Sequence, residues 1–300
     1  MNHTSTAAAP ARPIHHASLA DYLELSKPGI TLFITFTTAT GYYLAPGPLE
    51  PLVFLHTVLG TSFTAAGAAA LNQYFERDID ARMPRTSHRP IPSGHIGATK
   101  ALRFALVLAA LGLAQLIFLA PPIAALLAVL ALLSYVWAYT PLKKRTGLCT
   151  FVGTLPGALP ILAGYAARAG IRDAGGWILF AILALWQLPH FLSLAWLFRA
   201  QYANAGLQIM SVGEHGARRV ANVTGMSAGL LIVASVAPVM FGLAGPIYGV
   251  IAVGLSLFML RLALQLRSDT LRDEAARQLF ALSLVYLPAL LAMMMLDHIV

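Results

Sequence analysis

From Pro28 onward the chain is built of apolar runs about 20 residues long, the length at which a helix crosses the hydrocarbon core of a bilayer. Nine runs are legible, at about 28–46, 51–72, 101–120, 122–140, 149–167, 176–197, 221–242, 246–265 and 279–297. Pro and Gly mark several boundaries, as in Pro46-Gly47-Pro48, Pro121-Pro122 and Gly245-Pro246. Backbone in lipid must satisfy its own hydrogen bonds, and runs this long do so as helices. The expected fold is an all-α integral membrane protein, a bundle of about nine transmembrane helices. It forms a single domain over 28–300, after a short N-terminal segment, 1–27.

Composition excludes a soluble enzyme: 58% of the residues are hydrophobic and 11% charged, against about 25% charged in soluble domains. The net charge of +8 is better assigned to membrane lipid heads than to nucleic acid. Eighteen of the 20 Lys and Arg lie in the N-terminal segment and in alternate loops; only Arg168 and Arg172 lie in the others. This bias places the N-terminus in the cytoplasm and, with nine spans, the C-terminus in the periplasm. The first 27 residues lack the apolar core of a secretory signal and only weakly resemble a transit peptide, which favours a bacterial inner membrane. Cys149 is the sole cysteine, so no intramolecular disulfide forms.

The most informative stretch is Asn72 to Gly94, NQYFERDIDARMPRTSHRPIPSG. If the second helix continues past Leu71, Asn72, Glu76 and Asp80 fall four residues apart, each step turning about 40° around the axis. Three oxygen-bearing side chains then share one face, and Asp78 points away. Two carboxylates at that spacing repel each other, so a cation belongs between them. Mg²⁺ suits carboxylate and amide oxygens and completes its shell with water and phosphate. Pro84 stops the helix, and Arg85 and Arg89 make the following loop basic. A positive-inside flank would explain the arginines but not the acids; a metal-bridged diphosphate explains both.

Tyr139 to Gly147, YTPLKKRTG, brings Lys143, Lys144 and Arg145 to the same cytoplasmic level, as a membrane anchor or a diphosphate clamp. The fifth span carries Gly153, Gly157, Gly164, Pro156 and Pro160, which suit either a cavity wall or close helix packing. The sixth places Trp186, Gln187, His190 and Trp196 at membrane depth, where polar groups face a cavity or a partner and Trp can belong to the interfacial belt. The charged loop from Arg267 to Arg277 reads as a solvated amphipathic connector.

NQYFERDID resembles the first acidic motif, N-x-x-x-[DE]-x-x-x-D, of the UbiA superfamily of intramembrane prenyltransferases, and nine spans match that architecture. RDIDARMPRTSHRPIPSG, YTPLKKRTG, and WQLPHFLSLAW followed by YANAGLQIMSV resemble its heme-modifying branch. The resemblance covers nearly the whole chain from Leu25. It implies a central cavity with Mg²⁺-bound farnesyl diphosphate at the cytoplasmic end. Asn72, Glu76 and Asp80 would hold metal and act in catalysis with Lys144 and Arg145. Arg85, Arg89, Tyr139 and Lys143 would bind substrate, and Trp186, Gln187 and His190 would form the heme pocket. One position departs from the pattern: Gln201 stands where an acid is usual before Tyr202, which argues against a second metal site there.

The implied reaction is transfer of farnesyl to a vinyl group of heme b with addition of water, giving heme O and diphosphate. Heme is substrate, not fixed cofactor. Heme A synthase or terminal-oxidase assembly is the implied downstream partner. The nearest rival is a sister prenyltransferase acting on a quinone-precursor aromatic acceptor, which gives no reason for His190. A transporter is the rival from another class, but it would carry charges at mid-membrane in broken helices rather than at one face.

Overall fold

The computed structural model describes residues 17–297, all of whose regular structure is helical. Arg12 and the last three residues, hence the sequence assignment of both termini to membrane sides, lie outside the described residues.

A short helix, α1 (Leu19–Leu25), precedes the spans and lies inside the N-terminal segment 1–27. Its start is a capping box, with Ser18 and Asp21 exchanging hydrogen bonds. Next come α2 (Pro28–Leu44), α3 (Pro51–Asp80), α4 (Ala98–Leu119) and α5 (Pro122–Leu133). A π-helical turn, Ser134–Tyr139, and α6 (Thr140–Leu142) complete the fourth span; α7 (Cys149–Ala169) and α8 (Ala174–Leu197) follow. The chain ends with the short α9 (Arg199–Asn204), then α10 (Gly216–Met240), α11 (Pro246–Gln265) and α12 (Arg272–Asp297). Eight of the described helices are long and apolar enough to cross a membrane. The ninth run is α2, which at 17 residues falls just short of that length and packs between α3 and α7.

Proline opens α2, α3, α5 and α11, where its missing N–H costs nothing. Two close approaches set the walls. Any side chain at Gly67 would strike the backbone of α4 at Ala105 and Ala109, and any at Gly164 would strike the carbonyl of Thr38 on α2. Arg168 ties off α2 by donating to the carbonyls of Tyr42 and Tyr43 in its last turn, which the helix itself leaves unpaired, and to those of Gly47 and Pro48 just beyond it. The outward surface is apolar, as lipid requires: Phe118, Met240 and Val250 are largely exposed. Trp137 and Trp177 are exposed, whereas Trp186 and Trp196, for which the sequence left the interfacial belt open, are buried.

Residues 267–277 are more than a solvated connector. Asp273 accepts from the indole N–H of Trp196 at 2.6 Å, and the guanidinium groups of Arg199 and Arg272 lie over the Trp196 ring at 4.1 and 5.3 Å. The first residues of α12 are thereby fastened to the C-terminal end of α8.

Candidate active site

A cavity of about 350 Å³ opens between α2, α3, α5, α7 and α8. α3 continues to Asp80 without a break, so Asn72, Glu76 and Asp80 share one buried face at the cavity mouth. Asp78 is exposed and lies 3.9 Å from Arg77, on the opposite side. The helix ends four residues before Pro84. The following loop folds back over the mouth, with Met83, Ile91 and Ile96 buried beneath it and the Thr86 hydroxyl donating to the Asp80 carbonyl at 3.0 Å.

Each oxygen-bearing group on that face meets a cation. Lys143 Nζ lies 2.8 Å from Glu76 Oε1, Arg89 Nη1 2.7 Å from Asp80 Oδ2, and Lys27 Nζ 2.7 Å from Asn72 Oδ1. Asn72 also donates to Thr140 Oγ1 at 3.2 Å. Arg85 reaches the Tyr202 hydroxyl at 3.4 Å and stacks over Phe198 at 5.0 Å. The charged lining is thus Lys27, Arg85, Arg89 and Lys143 against Glu76 and Asp80. Burial opposes the charge on Lys143, but the Glu76 carboxylate outweighs it and holds the ammonium well above the ordinary lysine value. Burial, followed by the like charge of Arg89, pushes Lys27 down to about 7.

Lys27 is absent from the sequence motifs that point to the site. It is the only non-glycine with positive φ among the described residues, at 46°. That strained conformation lies between α1 and Pro28, where Gln73 holds the carbonyls of Glu24 and Leu25 at 3.0 and 3.1 Å. The strain has a local result: the lysine side chain turns into the cavity mouth. The one available sequence signal was its position, a lone cation before Pro at the start of a span.

The π-helical turn has a comparable role. Pro141 cannot donate to the carbonyl of Trp137, and the preceding turn widens, with the Thr140 N–H bonding to Tyr135 instead. Tyr135 and Tyr139 both line the cavity, their rings stacked at 5.6 Å, and Lys143 lies 4.3 Å from the Tyr139 ring. Lys144 and Arg145 are exposed and do not line it.

Deeper in, the lining turns apolar and small: Ala65, Ala68 and Ala69 on α3, Gly153, Pro156, Gly157 and Pro160 on α7. The fifth span therefore serves both as cavity wall and as packing surface. Gln187 joins this wall, its amide donating to the carbonyls of Thr154 and Leu183 at 3.2 Å. Trp186 and His190 do not line the cavity; they face α12. Gln201 lies outside it too, and its Oε1 has no hydrogen-bond partner among the described residues.

Among the described residues no group of three or more His, Cys, Asp or Glu could hold a metal. Two buried carboxylates and an amide at one level nevertheless fit Mg²⁺, which needs few protein ligands when phosphate and water supply the rest.

An apolar cavity inside a bundle of spans, with carboxylates and an excess of cations at its mouth, suits an intramembrane enzyme whose substrate has an anionic head and an apolar tail. The UbiA prenyltransferase family model matches residues 34–285, and the chain belongs to that family. It is 38% identical over 287 residues to a protoheme IX farnesyltransferase of Opitutus terrae, covering 96% of this chain and 97% of the relative. It is 41% identical to one of Salinibacter ruber, covering 93% and 99%. A solved digeranylgeranylglyceryl phosphate synthase shares the fold at TM-score 0.76 and 19% identity, over 94% and 98% of the two chains. A UbiA homologue of Archaeoglobus fulgidus, bound to DMAPP and Mg²⁺, does so at TM-score 0.67 and 19% identity, over 91% and 99%.

Proposed function

We propose that this protein transfers the farnesyl group of farnesyl diphosphate to a vinyl group of heme b, with addition of water, giving heme O and diphosphate. The observation that carries the proposal is the near full-length similarity to proteins named protoheme IX farnesyltransferase. The cavity gives it a physical basis. Arg85, Arg89, Lys27 and Lys143 bind the diphosphate and stabilise the charge that grows on it as the allylic C–O bond breaks. Asn72, Glu76 and Asp80 would hold Mg²⁺, which as a Lewis acid adds to that stabilisation. The small apolar lining excludes water from the farnesyl cation, and the faces of Tyr135 and Tyr139 favour positive charge beside them. A heme vinyl group attacks the cation, and water then adds to the carbocation beside the macrocycle. No side-chain nucleophile takes part.

The same proposal covers a single catalytic domain from residue 28, a bacterial inner membrane, a cytoplasmic cavity mouth, and delivery of heme O to heme A synthase or oxidase assembly. Lys144 and Arg145 serve as cytoplasmic anchors rather than as a clamp. Purified protein in detergent with heme b, farnesyl diphosphate and Mg²⁺ should yield heme heavier by one farnesyl and one hydroxyl group, its vinyl converted to hydroxyethylfarnesyl, and EDTA should abolish it. Absence of that product, from protein that binds neither substrate, overturns the proposal.

A further inference from the structure

The cavity has the same depth along three of its walls. α3 and α5 run toward the mouth and α7 runs away from it, so the innermost lining residues on these helices are Thr61, Ala128 and Pro160. Thr61 lies eleven residues below Asn72, Ala128 eleven below Tyr139, and Pro160 eleven beyond Cys149 at the start of α7. Eleven helical residues rise about 16 Å and return to within about 20° of the starting direction. Thr61 therefore stands on the face of α3 that carries Asn72.

Beneath this level the bundle closes. Thr57, one turn below Thr61, is fully buried, as is Ala124, one turn below Ala128. On the other side α2 and α7 meet: the Ile161 carbonyl leaves no room for a side chain at Gly41, nor the Thr38 carbonyl for one at Gly164. A helical threonine commonly donates to the carbonyl four residues back, as Thr64 does to Gly60 at 2.8 Å. The hydroxyls of Thr57 and Thr61 are buried and have no hydrogen-bond partner among the described residues. These two side chains fill space at the floor without tying anything together.

The diphosphate is held among the cations that meet Asn72, Glu76 and Asp80, so the prenyl chain starts at the level of Asn72, the innermost of the three. An isoprene unit adds four bonds, and an extended chain advances roughly 1.1–1.2 Å per bond, so three units reach about 13 Å and four about 17 Å. Less one carbon–carbon contact of about 3.5 Å at the floor, a depth of about 16 Å takes about 13 Å of chain. We propose that Thr61, backed by Thr57, is the stop that sets the accepted prenyl chain at three isoprene units. The inference rests on the farnesyl-transferring function proposed above and names the residues that select its donor.

The full chain in detergent with Mg²⁺ is given geranyl, farnesyl or geranylgeranyl diphosphate, and affinity is read from the rise in unfolding midpoint with ligand concentration. Turnover on heme b is measured beside it; the binding readout needs no acceptor. Wild type should bind farnesyl diphosphate at least about tenfold more tightly than geranylgeranyl diphosphate. Thr57→Ala with Thr61→Ala opens one further turn, about 6 Å, and breaks no hydrogen bond. It should bring geranylgeranyl diphosphate to within about threefold of farnesyl diphosphate. Ala128→Leu extends into the cavity and should move the preference the other way, to geranyl diphosphate. Equal wild-type affinities for the farnesyl and geranylgeranyl compounds, or an unchanged order in either variant, overturn the proposal. Uniform loss of all three ligands in both variants overturns it as well, because a stop acts on chain length alone. Selective farnesyl diphosphate binding without any farnesylated heme overturns the proposed function and leaves the stop standing.

Discussion

Glu76→Gln separates what the Glu76–Lys143 pair does for the fold from what it does for the reaction. The pair is 2.8 Å long, with side chains only 10% and 15% exposed. The substitution preserves shape and leaves the Lys143 ammonium buried against a neutral amide. Breaking a buried pair from one side costs roughly 3 kcal/mol. For a chain of this size that lowers the unfolding midpoint by on the order of 5–10 °C. Adding Lys143→Met removes the stranded charge, so the double variant should regain most of the stability. Turnover should not follow: removing one group that stabilises developing charge costs about 10²–10³-fold, and the double variant lacks two. The assay is thermal unfolding in detergent beside Mg²⁺-dependent formation of farnesylated heme, with heme b binding as the control for intact folding. Wild-type turnover in Glu76→Gln, or turnover that returns with stability in the double variant, would refute the reasoning.

Lys27→Gly removes the ammonium and suits the left-handed backbone, so stability should stay near wild type while KM for farnesyl diphosphate rises about tenfold, the roughly 1.4 kcal/mol of one phosphate contact. A KM within twofold of wild type would rule Lys27 out of the site. Lys143→Gln should lower kcat/KM at least about tenfold, whereas Lys144→Gln and Arg145→Gln, both on the exposed side, should stay within about threefold of wild type. The reverse order would restore the clamp first read from the sequence. Gly164→Leu, driven against the Thr38 carbonyl, should destabilise by about 1–3 kcal/mol or more. Gly254→Ala, with nothing within 4 Å, should be neutral or stabilise by up to about 1 kcal/mol. Equal unfolding midpoints for these two glycine variants would contradict the α2–α7 contact.

The spans and the acidic face were legible because both follow from period and length alone. A 30-residue helix that runs unbroken from Pro51 to Asp80 carries its four-residue spacing into three dimensions with little error. What was not legible depends on pairs distant in sequence or on backbone irregularity. Lys27 enters the mouth only because α1 docks on Gln73, and nothing within its own neighbourhood announces a positive φ. Which of Lys143, Lys144 and Arg145 faces inward is decided by the π-helical turn, whose extra residue changes the register just ahead of them. For the Trp residues of the sixth span the sequence left cavity and belt open, because hydropathy cannot tell a buried indole from an interfacial one.

The segment WQLPHF shows the same limit most clearly. Read as a string, Trp186, Gln187 and His190 belong to one pocket. On a helix, Trp186 and His190 lie about 40° apart, while Gln187 is roughly 100° from one and 60° from the other. Gln187 and Phe191 accordingly face the cavity, and Trp186 and His190 face α12, where both meet Ser283, 97 and 93 residues further along the chain. One short motif thus contributes to the cavity wall on one side and to the packing of α8 on α12 on the other. A single helix with Pro189 inside it supplies both faces, so substitutions at Gln187 or Phe191 should act on the cavity and substitutions at Trp186 or His190 on the α8–α12 contact.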